Sequence, residues 1–151
     1  MNRIAYKEKN PNAYNALLAL EGHVRNSGLE SRLLDLLCLR VSQINGCAFC
    51  VDMHSKDLRV SGETADRLAL LPVWRETDCF TQRERAVLAF AEALTTLGRE
   101  GVPDEVYAAA LTEVGESMLV DLAVAVGTIN VWNRLGVAFR SKAGAYQAKA
   151  K

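Results

Sequence analysis

Proline, histidine and aromatic side chains are scarce in this sequence, with 3 prolines, 2 histidines and 7% aromatics in 151 residues. Prolines stand only at 11, 72 and 103, and between them apolar residues recur with helical rather than alternating periodicity. Strand signals are almost absent. Basic runs interleaved with aromatics are also missing, and 18 basic residues balance 18 acidic ones, so the electrostatic footprint of a nucleic-acid binder is lacking. The most apolar stretch, Met118 to Val126, is interrupted by Asp121 and soon followed by Asn130, Asn133 and Arg134. It reads as too short and too polar to cross a bilayer. The opening segment MNRIAYKEKNPNAY has no apolar run with a small-residue cleavage site, which gives the expectation of a cytoplasmic protein. Thiols in that compartment stay reduced by default, so a close cysteine pair there points to catalysis or metal binding before a permanent bridge.

What is present fits one domain over residues 1–151. A chain of this size buries about 68–70% of its unfolded surface and needs no metal or disulfide to make a core. Half of its residues are hydrophobic and its formal net charge is zero, a balance that predicts apolar surface covered by further copies of the chain.

The pattern predicts an all-α fold of six or seven helices. Pro11 opens the first, which runs to about Asn26 and stops at Ser27-Gly28. The second spans about Glu30 to Ile44, with Leu33, Leu36, Leu37, Arg40, Val41 and Ile44 along a mostly apolar stripe, and Asn45-Gly46 breaks it. The third begins near Cys47 and ends at Ser61-Gly62. A short piece follows around Thr64 to Leu70, and Thr81 with Glu84 has capping-box spacing for a helix from Gln82 to about Leu97. The charges of RERAVLAFAEAL read as one solvated face of that helix. Pro103 starts another helix that Gly115 closes, and a long apolar helix runs from about Glu116 to Ser141. Residues 144–151 read as a frayed tail.

Against this plain background one stretch stands out: SQINGCAFCVDMHSKDLRVSG, residues 42–62. Positions three and four apart on a helix are surface neighbours, so Cys47, Cys50 and His54 share a face. Cys47 falls in the first turn, where free N–H groups and the helix dipole favour a thiolate, the reactive species. His54, one turn past Cys50, is placed to take a proton from it or to stabilise its thiolate. The dipole argues for Cys47 as the attacking group and the histidine for Cys50. Asp35 lies twelve residues before Cys47 on the preceding helix, which the Asn45-Gly46 turn folds back, so its carboxylate can approach the thiols or His54. A dithiol so poised can attack the O–O bond of a hydroperoxide, form a sulfenic acid and resolve to a disulfide, which a separate dithiol then reduces.

Two other readings of the same residues compete. Cys47, Cys50 and His54 supply three zinc ligands, and Asp35 with water would complete a catalytic site, but no second C-x-x-C closes a structural one. Buried cysteines beside a surface histidine are the purely structural alternative. Cys38 and Cys79 have no histidine within four residues and read as packing residues, as do Trp74 and Trp132, while His23 reads as a surface or packing residue.

Taken together, LRVSQINGCAFCVDMHSKDLRVSG, WRETDCFTQRERAVLAFAEALT and INVWNRLGVAFR resemble the AhpD-like alkylhydroperoxidases of the carboxymuconolactone decarboxylase superfamily, especially its peroxidase-related proteins. The resemblance covers about residues 10 to 143. It implies an all-helical, AhpD-like domain assembled as a trimer or hexamer, a redox pair at Cys47 and Cys50, and a motif histidine at His54. It also implies hydroperoxide substrates, no haem or flavin cofactor, and a lipoyl-bearing or thioredoxin-like dithiol reductant. The family's acid falls on Asp35, where glutamate is usual, and the place of a second histidine between the cysteines is taken by Phe49. A bridging water would restore the reach that the shorter Asp35 side chain loses. The resemblance also leaves a non-catalytic redox sensor or oligomeric switch, or a decarboxylase-type relative, as alternatives.

Overall fold

Asn10 caps the helix that Pro11 opens, its side-chain oxygen accepting from the Ala13 amide at 3.1 Å. From there a computed structural model, describing residues 3–148, places a helix between most of the predicted breaks. The elements are α1 (Tyr6–Lys9), α2 (Pro11–Arg25), α3 (Ser31–Ile44), α4 (Ala48–Val60), α5 (Ala65–Leu70), a 3₁₀ helix (Leu71–Glu76), α6 (Gln82–Thr95) and α7 (Asp104–Ala138). The described residues contain no β-strand, so the all-α expectation holds. Helix α1 was not legible in the polar opening segment. The two helices expected around Gly115 run on as α7, broken where Gly115 takes φ 78° and ψ 167°, a conformation open to glycine.

The expected capping box forms at α6. Thr81 Oγ1 accepts from the Glu84 amide at 3.2 Å, and the Glu84 carboxylate accepts from the Thr81 amide at 2.8 Å. The charges on α6 do not form a merely solvated face. Glu92 accepts hydrogen bonds from Arg40 Nε at 2.5 Å, from Trp74 Nε1 at 2.9 Å and from Arg75, joining α3, α6 and the 3₁₀ helix. Burial raises the Glu92 pKa, but these donors outweigh it and hold the carboxyl below its ordinary value.

Helix α3 is the centre of the fold because it is apolar on two faces. Leu33, Leu34, Leu37 and Val41 pack with Val87, Phe90, Leu122 and Ile129 of α6 and α7, while Leu36 and Leu39 face Leu58, Leu71, Trp74 and Phe80. Each fully buried leucine contributes about 1.5–3 kcal/mol relative to exposure, so α3 is held firmly between its neighbours. That rigidity positions whatever α3 and the adjoining α4 carry. Helix α7 is by length and composition apolar enough to cross a membrane. In the fold it instead packs against α2, α3, α4 and α6.

The tail departs from expectation. Residues 144–147, read as frayed, lie against α4: the Gly144 amide donates to Asp52 at 3.0 Å, Lys56 Nζ donates to the Tyr146 carbonyl at 3.0 Å, and the Tyr146 hydroxyl donates to Asp57 at 2.8 Å. The partners are far away in sequence, so local composition gave no sign of them. Residues 149–151 of the expected tail lie outside the described residues.

Candidate functional site

Gly46, with φ 67°, reverses the chain after α3 and delivers Cys47 to the N-cap of α4. There the Cys47 sulfur accepts from the Cys50 amide at 3.4 Å. The turn is pinned to α7: Asn45 donates to the side-chain oxygens of Asn130 and Asn133 at 2.9 Å each, and Asn133 donates to Ser42 at 3.0 Å. Cys47 and Cys50 are joined as a disulfide, with Cα atoms 5.4 Å apart, and both are buried. The predicted juxtaposition of the two sulfurs is therefore present.

His54 is buried one turn beyond Cys50, and its Nδ1 lies 3.5 Å from Oδ1 of Asp35. Asp35 is buried as well, at 1% exposure, and the surface histidine of the structural alternative is not found. The imidazole Nε2 is buried without a hydrogen-bond partner among the described residues. On its other side Asp35 accepts from Arg25 at 2.7 Å, and Arg25 also donates to Glu21 at 2.9 Å. Burial opposes a charged Asp35, but His54 and Arg25 more than offset it and pull the carboxyl down to about 2. The acid that α3 presents to His54 is thus a carboxylate at physiological pH.

A cavity of about 600 Å³ opens on this group. Cys50, not Cys47, is among the residues that line it, together with Phe49, Met53 and His54 of α4. Tyr14 and Leu18 of α2 and Ile129 and Trp132 of α7 complete a largely apolar wall. Trp132, read as a packing anchor, therefore also bounds the cavity, and its Nε1 donates to Glu21 at 3.2 Å. Behind the sulfurs stands Gly136: a Cβ there would lie 2.7 Å from the Cys47 sulfur and 3.6 Å from that of Cys50.

Gly136 and Arg25 are among the site residues that the sequence pattern did not reveal. A glycine inside an otherwise helical run costs about 1 kcal/mol relative to alanine, and that cost was the available signal of a close packing requirement. Arg25 gave no such signal, because its meeting with Asp35 is a product of tertiary packing. The zinc reading is not favoured by the geometry. The carboxylate and imidazole atoms that converge within 4.8 Å belong to Asp35, His54 and Asp57, no cysteine is among them, and the Arg25 guanidinium already engages Asp35. Cys38 is buried, which pushes its thiol pKa well up, and His23 is exposed beside Asp121 at 3.1 Å.

Residues 11–93 match the model of the carboxymuconolactone decarboxylase family. The chain belongs to that family. Among its relatives, uncharacterised protein YdfG of Bacillus subtilis (strain 168) is 36% identical over 141 residues, 93% of this chain and 96% of YdfG. Alkyl hydroperoxide reductase AhpD of Hyphomonas neptunium is 40% identical over a shorter span of 45 residues, 30% of this chain and 25% of that protein. Among solved structures, an Agrobacterium tumefaciens protein of unknown function, provisionally described as an antioxidant defence protein AhpD, superposes with a TM-score of 0.92. It is 42% identical, and the match covers 97% of this chain and 100% of that one. The AhpD-like fold expected of this family member is the fold it has.

Proposed function

We propose that this family member is a thiol peroxidase that reduces organic hydroperoxides through Cys47 and Cys50. The observation that carries the reading is the position of Cys50: it borders an apolar cavity, one helical turn from a histidine that a buried carboxylate contacts. In the reduced enzyme His54 takes the Cys50 proton, and the ionised Asp35 stabilises the imidazolium that forms. The Cys50 thiolate attacks the terminal peroxide oxygen. The O–O bond breaks, Cys50 becomes a sulfenic acid, and the alkoxide leaves as the alcohol with the proton from His54. The Cys47 thiol then attacks the sulfenic sulfur, forming the disulfide and releasing water.

The cycle closes when an external dithiol exchanges with the disulfide and is itself oxidised. A lipoyl-bearing or thioredoxin-like protein has the chemistry for this step. Phe49 contributes apolar contact with the substrate rather than a proton, so proton transfer at Cys50 falls to His54, which lines the same cavity. The description of the Agrobacterium structure and the name of the Hyphomonas relative support an antioxidant role. Assembly into a trimer or hexamer is part of the same proposal, and exposed Val120, Val131 and Val137 of α7 are apolar surface that copies of the chain would cover.

The test is steady-state consumption of cumene hydroperoxide and hydrogen peroxide with dihydrolipoamide or thioredoxin as donor. Turnover that disappears in Cys50→Ser supports the proposal. Equal turnover in wild type, Cys47→Ser and Cys50→Ser would remove it.

A further inference from the structure

The tail segment on α4 reaches the same cavity as the cysteine pair. Tyr146 lines the cavity beside Asp57, and Asp57 follows Cys50 and His54 at successive turns of one helix face. Among the described residues the tail's hydrogen-bonded anchors come from α4: Asp52 holds the Gly144 amide, Lys56 holds the Gly144 and Tyr146 carbonyls at 3.4 and 3.0 Å, and Asp57 holds the Tyr146 hydroxyl. Lys56 and Asp52 are themselves paired at 2.9 Å. A segment without secondary structure of its own is therefore tied at both ends of Tyr146 to the helix that bears the sulfurs.

We propose that Tyr146, latched to Asp57, is a specificity-determining residue whose ring is the wall that limits the size of the hydroperoxide reaching Cys50. The proposal rests on the peroxidase reading for its substrate, but the wall itself is a property of access to Cys50. Burial and the hydrogen bond to Asp57 push the phenol up to about 12, so the latch keeps its proton throughout the physiological range. The rest of the lining comes mainly from the helices α2, α4 and α7, which pack on one another around the core. The tail is tied to α4 by side-chain hydrogen bonds and, among the described residues, contributes none to the buried core, so changing it alters the cavity without altering the core.

Access is measured apart from turnover by alkylating the reduced Cys47→Ser protein. Mass spectrometry of the Cys50 peptide gives rates for iodoacetamide, a small reagent, and N-(1-pyrenyl)maleimide, a bulky one. Tyr146→Ala and a chain ended at Ala143 are expected to raise the ratio of bulky to small rates about tenfold, the discrimination a pocket wall supplies. Tyr146→Phe keeps the ring but frees the latch, and its ratio should fall between wild type and Tyr146→Ala. The same ordering is expected in the ratio of cumene hydroperoxide to hydrogen peroxide kcat/KM in the Cys47-containing enzyme. If both reagents change together in every variant, Tyr146 affects only the fold and the proposal is overturned. If the alkylation ratio moves while no peroxide is consumed, the wall stands and the peroxidase reading falls.

Discussion

Gly136 of α7 stands so close to Cys47 that a methyl group added to it would lie 2.7 Å from the sulfur. Real carbon–sulfur contacts are never so short, so alanine at this position must move the disulfide, α4 or α7. Close-packed interiors resist such motion, and overpacking costs about 1–3 kcal/mol.

Gly136→Ala is accordingly expected to lose about 1–3 kcal/mol in urea unfolding, although alanine has the better helix propensity. It should also slow formation of the Cys47–Cys50 disulfide by oxidant. Gly22 in α2 is the control, since nothing lies within 4 Å of a Cβ there. Gly22→Ala should gain about 0.5–1 kcal/mol. If both variants gain stability, the packing argument for Gly136 is wrong.

Asp35 makes stability depend on pH in a predictable direction. Its pKa is depressed from 3.8 to about 2 in the folded protein, so it contributes stability above the unfolded value that is lost as pH falls through the folded one. The contribution at neutral pH is about 2 kcal/mol. Urea midpoints in wild type should therefore fall between about pH 4 and pH 2, and this segment of the dependence should flatten in Asp35→Asn. At pH 7 the same variant leaves Arg25 facing a neutral amide in a largely buried setting, and a loss of about 3 kcal/mol is expected.

The fold was legible because its boundaries are local. Pro11 at a helix start, Asn45-Gly46 at a turn, the Thr81–Glu84 box and Gly115 at a break each act within a few residues, and each is where the sequence places it. Cys47, Cys50 and His54 were legible for the same reason, since helix geometry alone brings them together. Asp35 was legible only because one tight turn separates its helix from theirs. Arg25, Trp132, Gly136 and Tyr146 come to the site from α2, α7 and the tail, and no periodicity within those segments encodes which face meets α4. The misread face of α6 has the same cause. Glu92 looks solvated until Arg40, Trp74 and Arg75 arrive from elsewhere in the chain.

Glu92 therefore offers a test of structure separate from chemistry. Its carboxylate satisfies three donors, and replacing it with alanine leaves the Arg40 and Trp74 groups, both largely covered, without that acceptor. Glu92→Ala is expected to destabilise the protein by about 2–4 kcal/mol in chemical denaturation. The rate of Cys50 alkylation in the folded variant should stay within about twofold of wild type, because α6 does not line the cavity.

The two cysteines differ in setting, and that difference yields the sharpest prediction about their roles. Cys50 lines the cavity, whereas Cys47 sits at the helix N-cap with Gly136 against it. A hydroperoxide entering from the cavity thus meets the Cys50 sulfur first, and His54 is one turn from that sulfur. Cys47→Ser should still consume about one equivalent of peroxide per chain and accumulate a sulfenic acid on Cys50, which dimedone traps for mass spectrometry. Cys50→Ser should consume none and give no adduct on Cys47. The helix dipole argues the other way, since it favours a thiolate at Cys47. A dimedone adduct on Cys47 in Cys50→Ser, with none on Cys50 in Cys47→Ser, would therefore mean that the dipole outweighs access and that the two roles are exchanged.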